Sequence, residues 1–455
     1  MSITTTNPTT GEILKTYEYM SLDNVNKVID NSHQDFLKWK SIDSSHKEKL
    51  SKNLADMLLK NKEELSLLMT EEMGKPITQS YAEVDKCIDL IKHNTNVYKD
   101  FLKENHIEAG FTKSYITYQP LGIIYIIMPW NFPLWQVMRI TSLNILAGNA
   151  IILKHASISS GTSLFIEKLF KEAGFPENLF RSIITDYKTS DAVFENPKVR
   201  GLAFTGSDVV GAQVAAYAGK NLKKATLELG GCDPYIILED ADLDNAAEQC
   251  IKSRLLNAGQ VCIAAKKLIT TPKIHDKFVS LILEKVKNYQ YSDPKDKNCI
   301  LGPLAHHNFR DTVHKQVSQA IEEGAECLLG GKIPSDTKGA FYPVTVLNNI
   351  TEEMPMFDSE IFGPVISIIP AKSEEHALEL ANKTRFGLSA AVFTENLQKG
   401  EEFARNIETG TCYVNQFVAS NKLLPIGGIK DSGFGKELSS IGAHEFVNAK
   451  VIVVR

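Results

Sequence analysis

The sequence is poor in cysteine, and its cysteines are not spaced as disulfide partners or metal ligands. Seven cysteines are spread over 455 residues, and no two of them form a CxxC pair. An odd number of dispersed cysteines argues against a disulfide framework and favours a reducing compartment. The sequence also lacks an HExxH motif, and the adjacent His306 and His307 cannot share one face of a helix. We therefore predict a protein without a metal site.

Long apolar runs, a surplus of basic residues and a serine-hydrolase motif are missing as well. The apolar stretches 121–129 and 150–153 are too short to cross a bilayer, and the N-terminus has no apolar signal core. A formal net charge of -5 does not suit nucleic-acid binding, and no GxSxG motif is present. We expect a cytoplasmic protein with no membrane or nucleic-acid partner.

The hydrophobic pattern predicts an α/β protein whose length favours two or three domains. From residue 22 to about 105, apolar residues recur at three-to-four spacing, which indicates helices. Short apolar bursts then alternate with helical stretches, as in a parallel, doubly wound sheet covered on both faces. The predicted strands are 114–119, 122–129, 150–154, 182–185, 201–206 and 224–231, and the predicted helices between them are 133–147, 160–173 and 208–221.

The same alternation resumes after Asp233 and predicts a second α/β domain that begins near residue 230. Its predicted strands are PYIILE, KKLITT, YPVTVL, PVISIIPA, LSAAVFT and CYVNQ. The C-terminal KVIVVR is a short apolar strand with no partner nearby in the sequence. Because such a strand exposes an unpaired edge, we expect it to join a sheet elsewhere, including one in another subunit.

Cys262 is the candidate nucleophile. It lies in NAGQVCIAAK, where Gly259 precedes the thiol and small residues follow it. A reactive cysteine needs an exposed sulfur and a favoured thiolate, which tight turns and helix N-termini supply. The alternative is that Cys262 is a buried small hydrophobic residue, as most cysteines are.

Glu228 and Asn131 are candidates for the base and the oxyanion donor. Glu228 ends an apolar strand in TLELGG, at the sheet edge where open α/β folds bind ligands. Partial burial would raise its pKa toward neutrality, as a general base requires. Asn131 stands between bulky residues in PWNFP, so its amide could form an oxyanion hole. The structural alternative for Glu228 is a strand-end residue in solvent. For Asn131 it is an Asx-turn that caps the next helix.

The glycines do not form a nucleotide-binding signature of the common kinds. FTGSDVVG places Gly206 five residues before Gly211, but Ala-Gln follows instead of Lys-Ser/Thr, and GxGxxG is absent. What remains is a strand, a Gly-Ser turn and a helix whose N-terminus could face a pyrophosphate. Lys154, at the end of AIILK, could donate to a ribose or a 2′-phosphate.

Taken together, the ordered motifs resemble the aldehyde dehydrogenase superfamily along nearly the whole chain. Within that superfamily the sequence is most similar to the short bacterial NAD(P)-dependent succinate-semialdehyde dehydrogenases. The motifs that carry the resemblance are NPTTGE, PWNFP, ILKHAS, FTGS, LELGG, GQVC, EIFGP and PIGGIKDSGFGKE.

The resemblance implies roles for matching positions. Cys262 is expected to attack the aldehyde carbon, with Asn131 and the Cys262 N–H as the oxyanion hole and Glu228 as the base for the deacylating water. Hydride would leave to the nicotinamide of NADP or NAD, and water would release the acid. The residues expected at the cofactor are Trp130, Lys154, Ser157, Gly206, Ser207, Glu360 and Phe362.

Two positions bear on the substrate and the cofactor. Arg139 lies about two helical turns after Asn131 and matches the residue that binds the substrate carboxylate in succinate-semialdehyde dehydrogenases. Ser420 resembles a second carboxylate contact. Ser157 stands where many NAD-preferring relatives have a glutamate, so a 2′-phosphate would not be repelled. Other aliphatic or aromatic aldehydes remain alternative substrates, and Glu228 disfavours transfer of the acyl group to coenzyme A. The alternative for Arg139 is an exposed helix residue with a surface partner.

The resemblance also implies a Rossmann-like cofactor domain, a second α/β catalytic domain and a small β oligomerisation element that bridges subunits. We assign these to 1–108 with 121–228, to 229–437, and to 109–120 with 438–455. Similar proteins are dimers or tetramers built through that element, so we expect a homodimer or homotetramer that acts on a small aldehyde.

Overall fold

The computed structural model describes residues 1–335 and 337–455. Within these residues the helical part of the chain consists of fourteen α-helices and three short 3₁₀ turns. The helices are α1 Leu22–Trp39, α2 Ser44–Lys60, α3 Lys62–Met73, α4 Ile77–Phe101, α5 Trp135–Ala147, α6 Ser160–Glu172, α7 Tyr187–Glu195, α8 Asp208–Lys220, α9 Leu243–Leu255, α10 His275–Val286, α11 His307–Glu322, α12 Glu374–Asn382, α13 Leu397–Asn406 and α14 Ser439–Ala443; the 3₁₀ turns are Ser157–Ser159, Leu256–Gly259 and Pro355–Asp358.

The strands of the described ranges assemble into two large sheets, one three-stranded sheet and two small pairs. They are β1 Ser2–Thr6, β2 Ile13–Glu18, β3 Asn105–His106, β4 Lys113–Pro120, β5 Ile123–Met128, β6 Ala150–His155, β7 Phe180–Ser182, β8 Val199–Thr205, β9 Lys224–Glu228, β10 Pro234–Ile237, β11 Lys267–Thr270, β12 Glu326–Leu329, β13 Thr345–Asn348, β14 Val365–Pro370, β15 Phe386–Gly387, β16 Ser389–Phe393, β17 Thr411–Val414, β18 Ile429–Lys430, β19 Gly433–Phe434 and β20 Val447–Val454.

The first large sheet has the order β19-β9-β8-β5-β6-β7 and is parallel except for β19. Nearly every residue of β5 and β6 is buried. Because successive side chains of a strand point to opposite faces, such a strand must be covered on both sides. The continuous apolar runs IIYIIM and AIILKH therefore form the centre of a doubly covered sheet, as the sequence pattern predicts.

The second large sheet has the order β12-β13-β14-β11-β10-β16-β17, with only β12 antiparallel among its described strands. It has its own buried apolar core, separate from that of the first sheet. Phe132 packs against both cores. The two predicted α/β units are thus observed, and they meet near the loop that follows β5.

Three details differ from the sequence-based expectations. The strand predicted at 182–185 lies at Phe180–Ser182, and a helix, α7, follows it where no helix is predicted. The strand β19 lies within 229–437 of the assigned catalytic domain, yet it pairs with β9 of the first sheet. Gly433 permits this pairing, because a Cβ there would lie 2.0 Å from the carbonyl oxygen of Leu227.

The C-terminal strand has a partner within the same chain. β20 pairs antiparallel with β4 over eight residues, from Val447 opposite Pro120 to Val454 opposite Lys113. The order β20-β4-β3 leaves the other side of β20 at the edge of the sheet. No helix in residues 1–335 and 337–455 combines the length and apolarity needed to cross a bilayer.

Candidate active site

Cys262 stands where two cavities meet. One cavity, here named the cofactor-side cavity, is lined by Trp130, Asn131, Gly206, Ser207, Glu228, Glu360 and Phe362 among others. The other, here named the substrate-side cavity, is lined by Lys86, Trp135, Arg139 and Ser420 among others. Cys262 and Gln136 line both. A half-buried sulfur at this junction can be reached from either side.

A left-handed turn presents Cys262. Asn257, Ala258 and Gly259 have φ values of 50°, 53° and 76°, a region that non-glycine residues rarely adopt. A Cβ on Gly259 would lie 2.1 Å from the carbonyl oxygen of Gly363, so only glycine fits. Asn257 is held by its side-chain amide, which donates to the carbonyl oxygen of Asn131 at 2.9 Å. Backbone strain of this kind persists where the surrounding structure fixes it.

Burial keeps the Cys262 thiol protonated. It raises the pKa of Cys262 to about 11, while the nearby cations Lys266 and Arg139 oppose the rise. The expectation that the turn favours the thiolate is therefore wrong for the protein without ligands. Desolvation outweighs the two positive charges, and the thiol needs a proton acceptor before it can attack.

Asn131 is a fixed amide with one donor to spare. Its Nδ2 donates to the carbonyl oxygen of Gln260 at 3.0 Å, and its Oδ1 accepts from the backbone N–H of Phe132 at 3.1 Å. An amide nitrogen carries two protons, so one remains for the cofactor-side cavity that Asn131 lines. Asn131 does not cap α5, whose N-terminus has no cap from its own N-cap side chain. The Asx-turn alternative is therefore wrong.

Glu228 is buried at the carboxyl end of β9 rather than exposed to solvent. Burial and the like charge of Glu437 raise its pKa to about 8, against the opposing effects of Arg139 and Lys436. Its Oε1 has no hydrogen-bond partner among the described residues. A carboxyl with a pKa near neutrality that lines the same cavity as Cys262 can act as a proton acceptor.

A buried ion pair beneath the Asn131 loop is absent from the sequence-based site. Lys75 and Glu83 contact each other with almost no exposure. Glu83 Oε1 accepts from the backbone N–H groups of Leu134 and Trp135 at 2.9 and 2.8 Å and so caps α5. Lys75 Nζ lies 3.4 Å from the carbonyl oxygen of Asn131. In the sequence, Gly74-Lys75-Pro76 indicates only a helix break, and these contacts join residues about fifty positions apart.

The aromatic and acidic residues predicted at the cofactor lie together. Trp130 stacks on Phe309 with ring centroids 4.9 Å apart and meets Phe362 edge-on at 5.8 Å. Glu360 pairs with Lys266 at 3.1 Å and accepts from the N–H of Gly231 at 3.3 Å. Lys266, which also contacts the carbonyl oxygen of Cys262, is not among the site residues that the sequence predicts.

The remaining predicted cofactor residues occupy the same edge of the first sheet. Ser207 follows Gly206 and caps α8 by accepting from the N–H of Val210 at 3.4 Å. Lys154 and Ser157 line a separate, smaller cavity at the end of β6. Lys154 Nζ lies 5.3 Å from the centre of the Tyr187 ring, and burial lowers its pKa. All twelve predicted site residues thus line one of three cavities along this edge.

Arg139 is buried in the wall of the substrate-side cavity with only 3% of its surface exposed. The alternative of an exposed helix residue is therefore wrong. Its guanidinium is paired with Glu437, which is equally buried. Ser420 lines the same cavity. In the part of the chain that the structure describes, no group of three or more His, Cys, Asp or Glu side chains could hold a metal ion.

The proteins to which this chain is similar agree with the geometry of the site. The family model described as Aldehyde dehydrogenase family matches residues 1–452. The NAD(P)+ succinate semialdehyde dehydrogenase Sad of Escherichia coli is 39% identical over 446 residues, which cover 98% of this chain and 96% of that protein. The NADP(+) succinate-semialdehyde dehydrogenase of Mycobacterium avium is 38% identical over 456 residues, covering 99% and 96%. The crystal structure of succinic semialdehyde dehydrogenase from Streptococcus pyogenes with NADP+ is 36% identical, with a TM-score of 0.97 and 99% of each chain covered.

Proposed function

This chain belongs to the aldehyde dehydrogenase family, and on that premise we propose that it oxidises succinate semialdehyde to succinate with NADP or NAD. One observation supports this choice of substrate: two cationic side chains, Arg139 and Lys86, line the cavity that leads to Cys262. An aldehyde that bears a carboxylate at its far end complements such a cavity. The names of the three similar proteins above agree with this substrate.

The reaction begins with proton removal from Cys262. A thiol with a pKa of about 11 is a poor nucleophile at neutral pH, and Glu228, with a pKa of about 8, is the acceptor that shares its cavity. The sulfur adds to the aldehyde carbon, and a C–S bond forms as the carbonyl oxygen becomes an oxyanion. The unused Nδ2–H of Asn131 and the backbone N–H of Cys262 stabilise that oxyanion. A nicotinamide held beside Cys262 by Trp130, Glu360 and Phe362 would supply the hydride acceptor needed to oxidise this adduct to a thioester.

Glu228 first releases the proton taken from Cys262 to solvent, and it then acts as the base for the second half of the reaction. It removes a proton from water, whose oxygen attacks the thioester carbon. The C–S bond breaks, the acid leaves, and Cys262 regains its proton. A buried carboxyl with a raised pKa suits this role because it can accept and release a proton near neutral pH.

The chemistry of the cofactor-side cavity fits a dinucleotide. The hydroxyl of Thr205, which lines it, is buried without a hydrogen-bond partner in the described structure. Gly230 leaves room beside Glu360, where a Cβ would lie 2.5 Å from Oε2. We infer that Trp130, Glu360 and Phe362 hold the nicotinamide half, that Gly206 and Ser207 face the pyrophosphate, and that Lys154 and Ser157 hold the adenosine ribose. Ser157 carries no charge, which supports acceptance of the 2′-phosphate of NADP.

We further propose that the chain works as a cytoplasmic homo-oligomer with the three parts assigned above. Seven free cysteines support a reducing compartment. The free edge of β20 supports assembly through 109–120 and 438–455. The strand β19 shows that 229–437 also contributes to the first sheet, so the catalytic and cofactor parts share residues at their boundary.

The test is initial-rate reduction of NAD and NADP with succinate semialdehyde, butyraldehyde and betaine aldehyde. We expect succinate semialdehyde to have the highest kcat/KM, and NADP to be accepted. Arg139→Met should reduce the ratio of kcat/KM for succinate semialdehyde to that for butyraldehyde. An enzyme that oxidises butyraldehyde equally well would show that the substrate proposal is wrong and leave the family unaffected.

A second variant separates binding from folding in this test. Arg139→Met leaves the Glu437 carboxylate buried without its partner, which costs about 3–5 kcal/mol of stability. The double variant Arg139→Met/Glu437→Gln removes both charges and should recover most of that loss. If the double variant is stable and still lacks the preference for the carboxylated aldehyde, the loss reflects binding; a recovered preference would assign Arg139 a structural role.

A further inference from the structure

Lys86 is the one charged side chain of the substrate-side cavity that the described protein leaves without an opposite charge. We propose that its ammonium binds the carboxylate of the substrate and sets the preference for an acid-bearing aldehyde. This inference rests on the function proposed above. Lys86 lies on α4 and lines the same cavity as Cys262 and Arg139.

The charges of the cavity wall can be counted side chain by side chain. The wall contains three charged side chains, Glu83, Lys86 and Arg139, besides the thiol of Cys262. Glu83 is paired with Lys75, and Arg139 is paired with Glu437. Lys86 makes neither an ion pair nor a hydrogen bond within 1–335 and 337–455. The net positive charge of the cavity wall therefore comes from Lys86.

Arg139 alone is poorly placed to supply that charge. Its guanidinium and the Glu437 carboxylate are 3% and 1% exposed, so both lie in a low-dielectric interior. A neutral pair attracts a second carboxylate much less than a lone cation does, because the nearby Glu437 repels it. A substrate carboxylate held by Arg139 has to share that arginine with Glu437, whereas Lys86 has no competitor.

The surroundings of Lys86 strengthen its attraction for an anion. Its Nζ lies 4.1 Å from the centre of the Trp135 ring, which supports the ammonium without neutralising it. Partial burial lowers the pKa of Lys86 to about 8; the nearby Arg139 adds to this effect, and Cys87 and Glu83 oppose it. A partly desolvated cation gains more from a carboxylate than one in water. Trp135 also keeps its buried indole N–H without a partner among the described residues, which leaves a neutral donor in the same wall.

The test compares Lys86→Met with the wild type and with Lys92→Met. Methionine keeps the unbranched stem that packs on Trp135 and removes the charge. Lys92 is an exposed lysine on the same helix, with no ion pair in the described structure, and serves as the matched control. We expect Lys86→Met to lower the kcat/KM ratio of succinate semialdehyde to butyraldehyde by about tenfold to hundredfold, mainly through KM. Lys92→Met should leave the ratio unchanged, and Lys86→Arg should keep most of it.

The outcomes separate this inference from the proposed function. If the wild type shows no preference for succinate semialdehyde, the proposed function is wrong whatever Lys86 does. If the wild type shows the preference and Lys86→Met keeps it, Lys86 is not the carboxylate ligand. An equal loss for both aldehydes in Lys86→Met, or a loss in Lys86→Arg as large as in Lys86→Met, also overturns the inference, because charge would then not be the property that matters.

Discussion

At the scale of single residues, the chemistry depends on two groups whose pKa values burial moves upward. The pKa of Cys262 reaches about 11 and that of Glu228 about 8, so Cys262 holds its proton at neutral pH and only a minor fraction of Glu228 is ionised. A buried site without ligands disfavours any charged form. The pair can nevertheless exchange a proton once the pH approaches the pKa of Glu228, because a carboxylate then shares the cavity with the thiol.

This raised pKa predicts how the rate depends on pH. Only the ionised form of Glu228 can accept a proton, so kcat should be low below about pH 8, rise through that value and level off above it. Glu228→Gln should abolish the inflection and slow the release of the acid. Because water or hydroxide can accept the Cys262 proton in place of Glu228, the first turnover should survive in part, seen in stopped-flow absorbance as a slowed burst of reduced nucleotide that is at most stoichiometric with Cys262.

The comparison of the wild type with Glu228→Gln is the control for this prediction. A wild-type profile that is flat across pH 8, or an inflection that survives in Glu228→Gln, would assign the titration to another group. Absence of a burst in the variant would mean that Glu228 is also indispensable for attack by Cys262.

At the scale of secondary-structure elements, α5 depends on a side chain from another helix. Glu83 of α4 accepts from the N–H groups of Leu134 and Trp135 at the start of α5 and also pairs with Lys75, which contacts the Asn131 loop. The free N–H groups of a helix N-terminus favour a negative charge, and here that charge is buried. The loop that carries the oxyanion donor is thereby fixed between β5 and α5.

Removal of this cap should destabilise the protein strongly. Glu83→Ala leaves Lys75 buried without its partner and should lower the free energy of unfolding by about 3–5 kcal/mol. Asp85→Ala, two residues further on α4, removes an exposed partner of Lys62 and should cost at most about 1 kcal/mol. Urea unfolding followed by circular dichroism measures both. Equal losses for the two variants would contradict the role of Glu83.

The elements also show what the sequence can and cannot reveal. The strands β5, β6 and β8 are predictable because each is a largely apolar run that is buried on both faces. The helix α7 is not, since it is short and only three of its nine residues are buried. The motif residues around Cys262 are visible in the sequence. The partners Glu83 and Glu437 are not, because their contacts depend on the tertiary fold.

At the scale of the whole molecule, both α/β units contribute residues to the site. Cys262 belongs to the second unit, while Asn131 follows β5 and Glu228 ends β9 of the first. Near the C-terminus, β19 returns to the first sheet, and Glu437 then pairs with Arg139. Residues far apart in the chain therefore share one buried set of charges.

The free edge of the three-stranded sheet predicts that the chain assembles into oligomers. β20 is paired on one side only, and Val451 and Val453, which share one face of it, are 65% and 48% exposed. An apolar edge strand of this length is a site for pairing with a second copy. We expect the wild type to have a solution mass that is a multiple of 50.5 kDa.

Charged residues on this strand should break the assembly. The double variant Val451→Lys/Val453→Lys should shift the mass measured by light scattering during size-exclusion chromatography toward 50.5 kDa, because lysines on an edge strand repel a second copy of the same edge. Leu222→Lys, at a position that is 90% exposed and outside this sheet, is the control and should keep the wild-type mass. A monomeric wild type would show that no such interface forms, and a double variant that keeps the larger mass would place the interface elsewhere. A monomeric variant that is still active would show that each chain holds a complete active site.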